Sequence, residues 1–219
     1  MNTMAPYTLW FLRNVAAWYR YSEDHAFLVK HADYLMKTLA HVRGGLSENN
    51  AWKENAFLDW PTKHNPKAVQ AGMQGLCALT FDDAAFLLDA LGKGAEADVW
   101  RERAAAFRRV KQDPDGAKSA AAVLALGGCA DLRETWRDVL SKDGHCGVST
   151  FYGYYVIEAM SAAGEGQRAL DTVRDYWGGM LDVGATSFWE NFDLAWTNGC
   201  TRLDEMPVEG KKDVHGDYG

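Results

Sequence analysis

The run Gly184-Ala185-Thr186-Ser187-Phe188-Trp189-Glu190 sets one carboxylate directly behind two aromatic rings, in an irregular segment that follows a long helical pattern. A sugar ring has an apolar C–H face and a polar edge, so a site that hydrolyses glycosides needs aromatic platforms beside carboxylates. Phe57-Leu58-Asp59-Trp60-Pro61 repeats the pairing, with Asp59 suited to gripping vicinal hydroxyls while Trp60 stacks on the sugar face. Both segments also admit a structural reading. In it Phe188 and Trp189 are core and Glu190 is solvated, while Trp60 plugs the core and Asp59 caps a turn before Pro61. A third segment, Asp143-Gly144-His145-Cys146-Gly147-Val148-Ser149-Thr150-Phe151-Tyr152, offers Ser149 or Thr150 as a helix cap. It would stand Phe151 or Tyr152 near the pocket end of the next helix.

Other chemistries find no support. The chain has no Ser-His-Asp or Cys-His order, no glycine-rich phosphate loop and no H-E-x-x-H. His25, His31, His41, His64, His145 and His215 show no ligand spacing with Cys77, Cys129, Cys146 and Cys200, so neither a metal nor a cofactor is expected. The four cysteines form no C-x-x-C pair, and Cys77 and Cys129 sit in apolar runs where a reduced, buried thiol is expected. A net charge of −7 without a Lys/Arg cluster excludes the electrostatic footprint of a nucleic-acid binder. No apolar run is long enough to span a bilayer, and no signal-peptide pattern is present. Nine Trp, nine Tyr and nine Phe in 219 residues point mildly to carbohydrate contact, although most must serve the core.

The elements that would position these residues are helical, and they alternate in kind. Residues 5–22 are apolar nearly all round, whereas 25–42 carry one stripe through Leu28, Ala32, Leu35, Leu39 and Val42. Residues 67–91, introduced by the cap-and-proline pair Asn65-Pro66, are small and apolar throughout; 95–111 set Trp100, Ala104 and Phe107 against a row of arginines. The runs 117–127 and 150–163 are again apolar, and 131–141 and 166–181 again striped. Helices buried on both sides alternating with half-exposed ones read as an α/α toroid, with inner helices touching both the axis and an outer ring. The hairpins differ in length and share no motif, which sets them apart from a solenoid. About four of the six hairpins of a complete (α/α)₆ barrel are present, forming one domain over 1–219, with strand expected only as short pieces in 43–64 and 182–219. The 43–64 connection, with Asn49, Asn50 and Trp52, is long enough to suggest a functional loop.

In sequence the chain resembles the catalytic domain of glycoside hydrolase family 78, the α-L-rhamnosidases. The matching blocks are Met1-Asn2-Thr3, the Phe57–Pro61 segment, Ser149-Thr150-Phe151-Tyr152-Gly153-Tyr154-Tyr155, Tyr176-Trp177-Gly178-Gly179-Met180 and the 184–190 run. The last run following the Tyr-Trp-Gly-Gly-Met-Leu segment is the specific part. The resemblance implies inverting hydrolysis of α-L-rhamnosides, with Glu190 at the general base's position and Asp59, Trp60, Trp189, Phe151 and Tyr152 as substrate contacts. It further implies that the chain is the C-terminal part of a barrel. The family's acid-bearing segment would lie before Met1, and a His-Gly-Trp segment after Gly219. The expected partners are a carbohydrate and either a second copy or the remainder of a longer enzyme. A non-catalytic sugar-binding or assembly module, or a toroid hydrolase with another sugar preference, stands as the alternative.

Overall fold

The computed structural model describes residues 5–47, 51–53 and 56–215; Met1, Asn2, Thr3, Asn49 and Asn50 lie outside the described residues. The longest helix shows how the architecture is built. In α4 (Pro66–Ala90) the Asn65 side chain accepts the Ala68 N–H and Pro66 takes the first turn, where no amide donor is needed. Two glycines then let other chain segments approach. A Cβ on Gly75 would lie 2.4 Å from the Val123 carbonyl oxygen and 2.5 Å from the Leu124 backbone, so α4 meets α6 (Lys118–Leu126) almost backbone to backbone. Gly72 receives Leu58, whose Cδ2 occupies the space a Cβ would need, and this docking seats the Phe57–Pro61 block on α4.

Around α4 the helices form hairpins. The inner row runs α1 (Ala5–Ser22), α4, α6 and α8 (Thr150–Ala162), each packed on the next. The outer row is α2 (His25–Lys30) with α3 (Ala32–Gly44), α5 (Gly94–Arg109), α7 (Leu132–Thr135) and α9 (Gly166–Thr172). The expected four helical hairpins of a partial α/α toroid are therefore present. Among the described residues strand is confined to the parallel pair β1 (Cys200–Thr201) and β2 (Lys212–Asp213) and an isolated bridge between Leu46 and Trp52. No described helix is long and apolar enough to cross a membrane.

Three sequence expectations need correction. The 25–42 helix is interrupted at His31, although its stripe of Leu28, Leu35, Leu39 and Val42 is buried as read. The two last outer helices each widen into a π turn, at Trp136–Leu140 and Val173–Trp177; the second continues as α10 (Gly178–Asp182). Its wider turn lets consecutive residues both face inward: Tyr176 donates its hydroxyl to the Phe192 carbonyl at 3.0 Å, and Trp177 lies where a Cβ on Gly153 would stand. Finally, α1 is not buried on both sides, because Tyr7, Phe11, Trp18 and Tyr21 are exposed. What holds α1 is its other face, Leu9, Trp10, Leu12 and Ala16, together with ion pairs from Arg13 (2.8 Å) and Arg20 (2.7 Å) to the buried Asp83 of α4. Burial pushes the Asp83 carboxyl up, and the two guanidinium groups pull it part of the way back.

Candidate active site

Four elements converge on a cleft of about 410 Å³: the start of α1, the 57–62 block, the start of α8 and the loop carrying Glu190. Asp59, Trp60, Phe151, Tyr152 and Glu190 all line it, brought together from three distant parts of the chain.

Asp59 is extended and initiates a short 3₁₀ turn, Trp60–Thr62. Its Oδ1 accepts the Thr62 hydroxyl at 2.6 Å and the Thr62 amide at 3.2 Å; its Oδ2 accepts the Ser149 hydroxyl at 3.0 Å. The carboxylate is buried and clamps the 57–62 block to the head of α8. The turn-capping reading holds for Asp59, whereas the core-plug reading fails for Trp60, whose ring is 44% exposed. Trp60 packs edge-on against Phe57 at 5.2 Å, carries the Lys63 ammonium 5.4 Å from its ring centre, and donates its indole N–H to Glu190 Oε1 at 3.3 Å.

Glu190 is exposed at the cleft mouth, oriented by that indole bond, the one its side chain makes among the described residues. Trp189 is not a platform: it is 1% exposed and packs edge-on against Phe192 at 5.9 Å, among Tyr176, Met180 and Val183. Its neighbours Phe188 (74% exposed) and Glu190 point outward, so the core reading is right for Trp189 and wrong for Phe188. The chain here presents alternate residues to opposite sides, and a buried Trp189 is what throws Glu190 into the cleft. Neither Ser149 nor Thr150 caps α8 with its side chain. Ser149 is spent on Asp59, and the Thr150 hydroxyl donates to the Trp189 carbonyl, tying the Glu190 loop to α8.

Phe151 is exposed and meets Trp10 edge-on at 5.1 Å. Tyr152 is 2% exposed; its ring borders the cleft beside Trp10, and its hydroxyl makes no well-formed hydrogen bond among the described residues. Burial raises that phenol far above its ordinary value, so it stays protonated as a potential donor. Burial likewise pushes Tyr155 up to about 12, against the pull of Arg13. The sequence reading missed Tyr7, Trp10 and Asn14 as cleft residues. Their spacing of three and four puts them on one helix face, a signal hidden by the aromatic character of α1 as a whole. Among the described residues no group of three or more His, Cys, Asp or Glu is placed to hold a metal ion.

An aromatic-walled cleft with one oriented, solvent-reachable carboxylate can bind a ring with apolar faces and activate a water beside it. No protein-family model and no curated protein matches the sequence. Among solved structures, a rhamnosidase from Klebsiella oxytoca with rhamnose bound matches 88% of this chain at 21% identity and a TM-score of 0.73, over 41% of that chain. A family 78 rhamnosidase of Bacillus sp. GL1 matches 83% of this chain at 18% identity and a TM-score of 0.66, over 22% of that chain. The chain thus spans less than half the length of either structure, and at these identities the likeness is one of fold: an α/α toroid shared with part of each rhamnosidase.

Proposed function

We propose that this chain is the C-terminal part of a glycoside hydrolase catalytic barrel, that its cleft holds an α-L-rhamnosyl ring, and that Glu190 is the general base of an inverting hydrolysis. The observation that carries the reading is the indole-held Glu190 carboxylate at the mouth of the aromatic cleft. The fold shared with two rhamnosidases, one of them solved with rhamnose bound, supports it.

In this reading Phe57, Trp60 and Phe151 shelter the apolar side of the sugar. Glu190 takes a proton from a water as that water's oxygen bonds to the anomeric carbon. The glycosidic C–O bond breaks, and an acid on the opposite face protonates the departing oxygen. Inversion needs the two carboxyl groups roughly 6.5–9.5 Å apart to admit the water. Asp59 does not fit the acid's role, because both its oxygens already accept bonds from Thr62 and Ser149. We assign the acid to a segment of a longer polypeptide, which would also cover the exposed rings of α1 and α8.

The test has two arms. The 219-residue chain by itself should show no useful turnover of an aryl α-L-rhamnoside, since loss of general acid catalysis costs ~10²–10⁴-fold. Within the full-length enzyme, turnover should proceed with inversion, followed by proton NMR, and Glu190→Gln should abolish it while leaving substrate binding intact. Undiminished turnover by the Gln variant would show that Glu190 is not the base.

A further inference from the structure

One face of α1 is turned away from the core. Tyr7, Phe11, Asn14, Trp18 and Tyr21 are all exposed, and their spacing of four, three, four and three puts them on a single stripe along the helix. The opposite face, Leu9, Leu12 and Ala16, is the one packed into the core. Two rings from the outer arm of the same hairpin widen the stripe. Tyr34 of α3 meets Phe11 edge-on at 5.4 Å, and the Phe27 ring of α2 lies 4.4 Å from Trp18. No residue of the stripe is charged. α1 has no acidic residue, and its two arginines are drawn to Asp83 of α4.

Three features say what fits this face. The first is composition. Within the chain, α4 and α6 meet through Gly75, Gly127 and alanines, whereas uncharged Tyr, Trp and Phe are the make-up of contacts between separate chains. The second is area. Six rings of ~200 Å² each, about half exposed on average, present ~600 Å² per copy. Two copies would then bury ~1,200 Å², where specific interfaces begin. The third is symmetry. The alternation of three and four reads the same from either end, so two α1 helices can pack antiparallel about a two-fold axis, the self-complementary arrangement of a closed dimer. Asn14, polar and central, would fix the register, as a lone Asn does in an apolar helix seam. We infer that the 219-residue chain by itself pairs with a second copy through the α1 stripe. A longer polypeptide, where present, takes the same face instead. The inference does not depend on the reading of the cleft as a sugar site.

Sedimentation equilibrium across a concentration series tests the pairing. The 24.3 kDa chain should sediment as a reversible dimer. Asn14→Glu and Asn14→Lys each bring like charges together across the axis, and each should weaken the dimer by more than about tenfold. Position 14 is exposed, so both variants should keep native helix content by circular dichroism. An equal mixture of the two should restore the dimer, because opposite charges then meet. Tyr154→Ser, which removes a comparably exposed ring from α8, should leave association unchanged. A chain that stays monomeric throughout the series overturns the inference and leaves the face to a longer polypeptide. It is equally overturned if association survives both charge variants, if the mixture associates no better than its components, or if Tyr154→Ser is the change that abolishes it.

Discussion

Helices α4 and α1 are both apolar around most of their circumference, yet α4 is buried along nearly its whole length while α1 exposes Tyr7, Phe11, Trp18 and Tyr21. The same contrast separates α6, all but fully buried, from α8, whose Phe151 and Tyr154 stand in solvent. The residue types differ accordingly. Where helix meets helix in the middle of the row the contact is made by Gly75, Gly127 and alanines, because the backbones touch; at the two ends the faces are large rings. Apolar character around a helix therefore reports how many neighbours its sequence is made for. The size of the side chains reports how close those neighbours come.

The most severe break of this contrast is Gly75→Val. Its added carbons collide with the α6 backbone, which has no rotamer to yield, so urea unfolding should show a loss of about 3 kcal/mol or more. Gly44→Ala, at the end of α3 where a Cβ meets nothing, should be neutral or stabilising by about 0.5–1 kcal/mol. Equal effects at the two positions would refute the backbone-contact account.

A smaller effect should separate buried from exposed rings near the ends of the row. Burial pushes Tyr155 and Tyr176 up to about 12, whereas an unfolded tyrosine ionises near about 10. Between those values the unfolded chain binds fewer protons than the native one, so stability must fall as pH rises through this window and be unaffected by these groups below it. Urea midpoints across alkaline pH should show the fall, made shallower by Tyr155→Phe or Tyr176→Phe; an unchanged slope in both variants would assign it to other groups.

The smallest expected effect on stability lies on α1. Tyr7→Ser with Tyr21→Ser should shift unfolding by no more than about 0.5 kcal/mol per site, since more than half of Tyr7 and nearly all of Tyr21 already stand in solvent. The same pair should lessen self-association measured by sedimentation. A large stability loss would mean that these two rings are held by the fold rather than by solvent, as Phe11 is on Tyr34 and Trp18 on Phe27.

Much of the architecture was legible in the chain. Asn65-Pro66 announces α4, the stripe at Trp100, Ala104 and Phe107 announces α5, and Asp59, Trp60 and Glu190 stand out as carboxylates beside rings. These signals act within a turn or two of backbone, and nearby residues suffice to set them. Which ring faces solvent was another matter: Trp189 and Phe188 are adjacent and alike in type, and only the packing of the loop on Phe192 and Tyr176 turns the first inward. The roles of Ser149 and Asp59 likewise depend on a bond across 90 positions, and the orientation of Glu190 on one across 130. No local pattern encodes such distances. They are decided by how the hairpins stack, because a polar group takes whichever partner the assembled fold brings within reach.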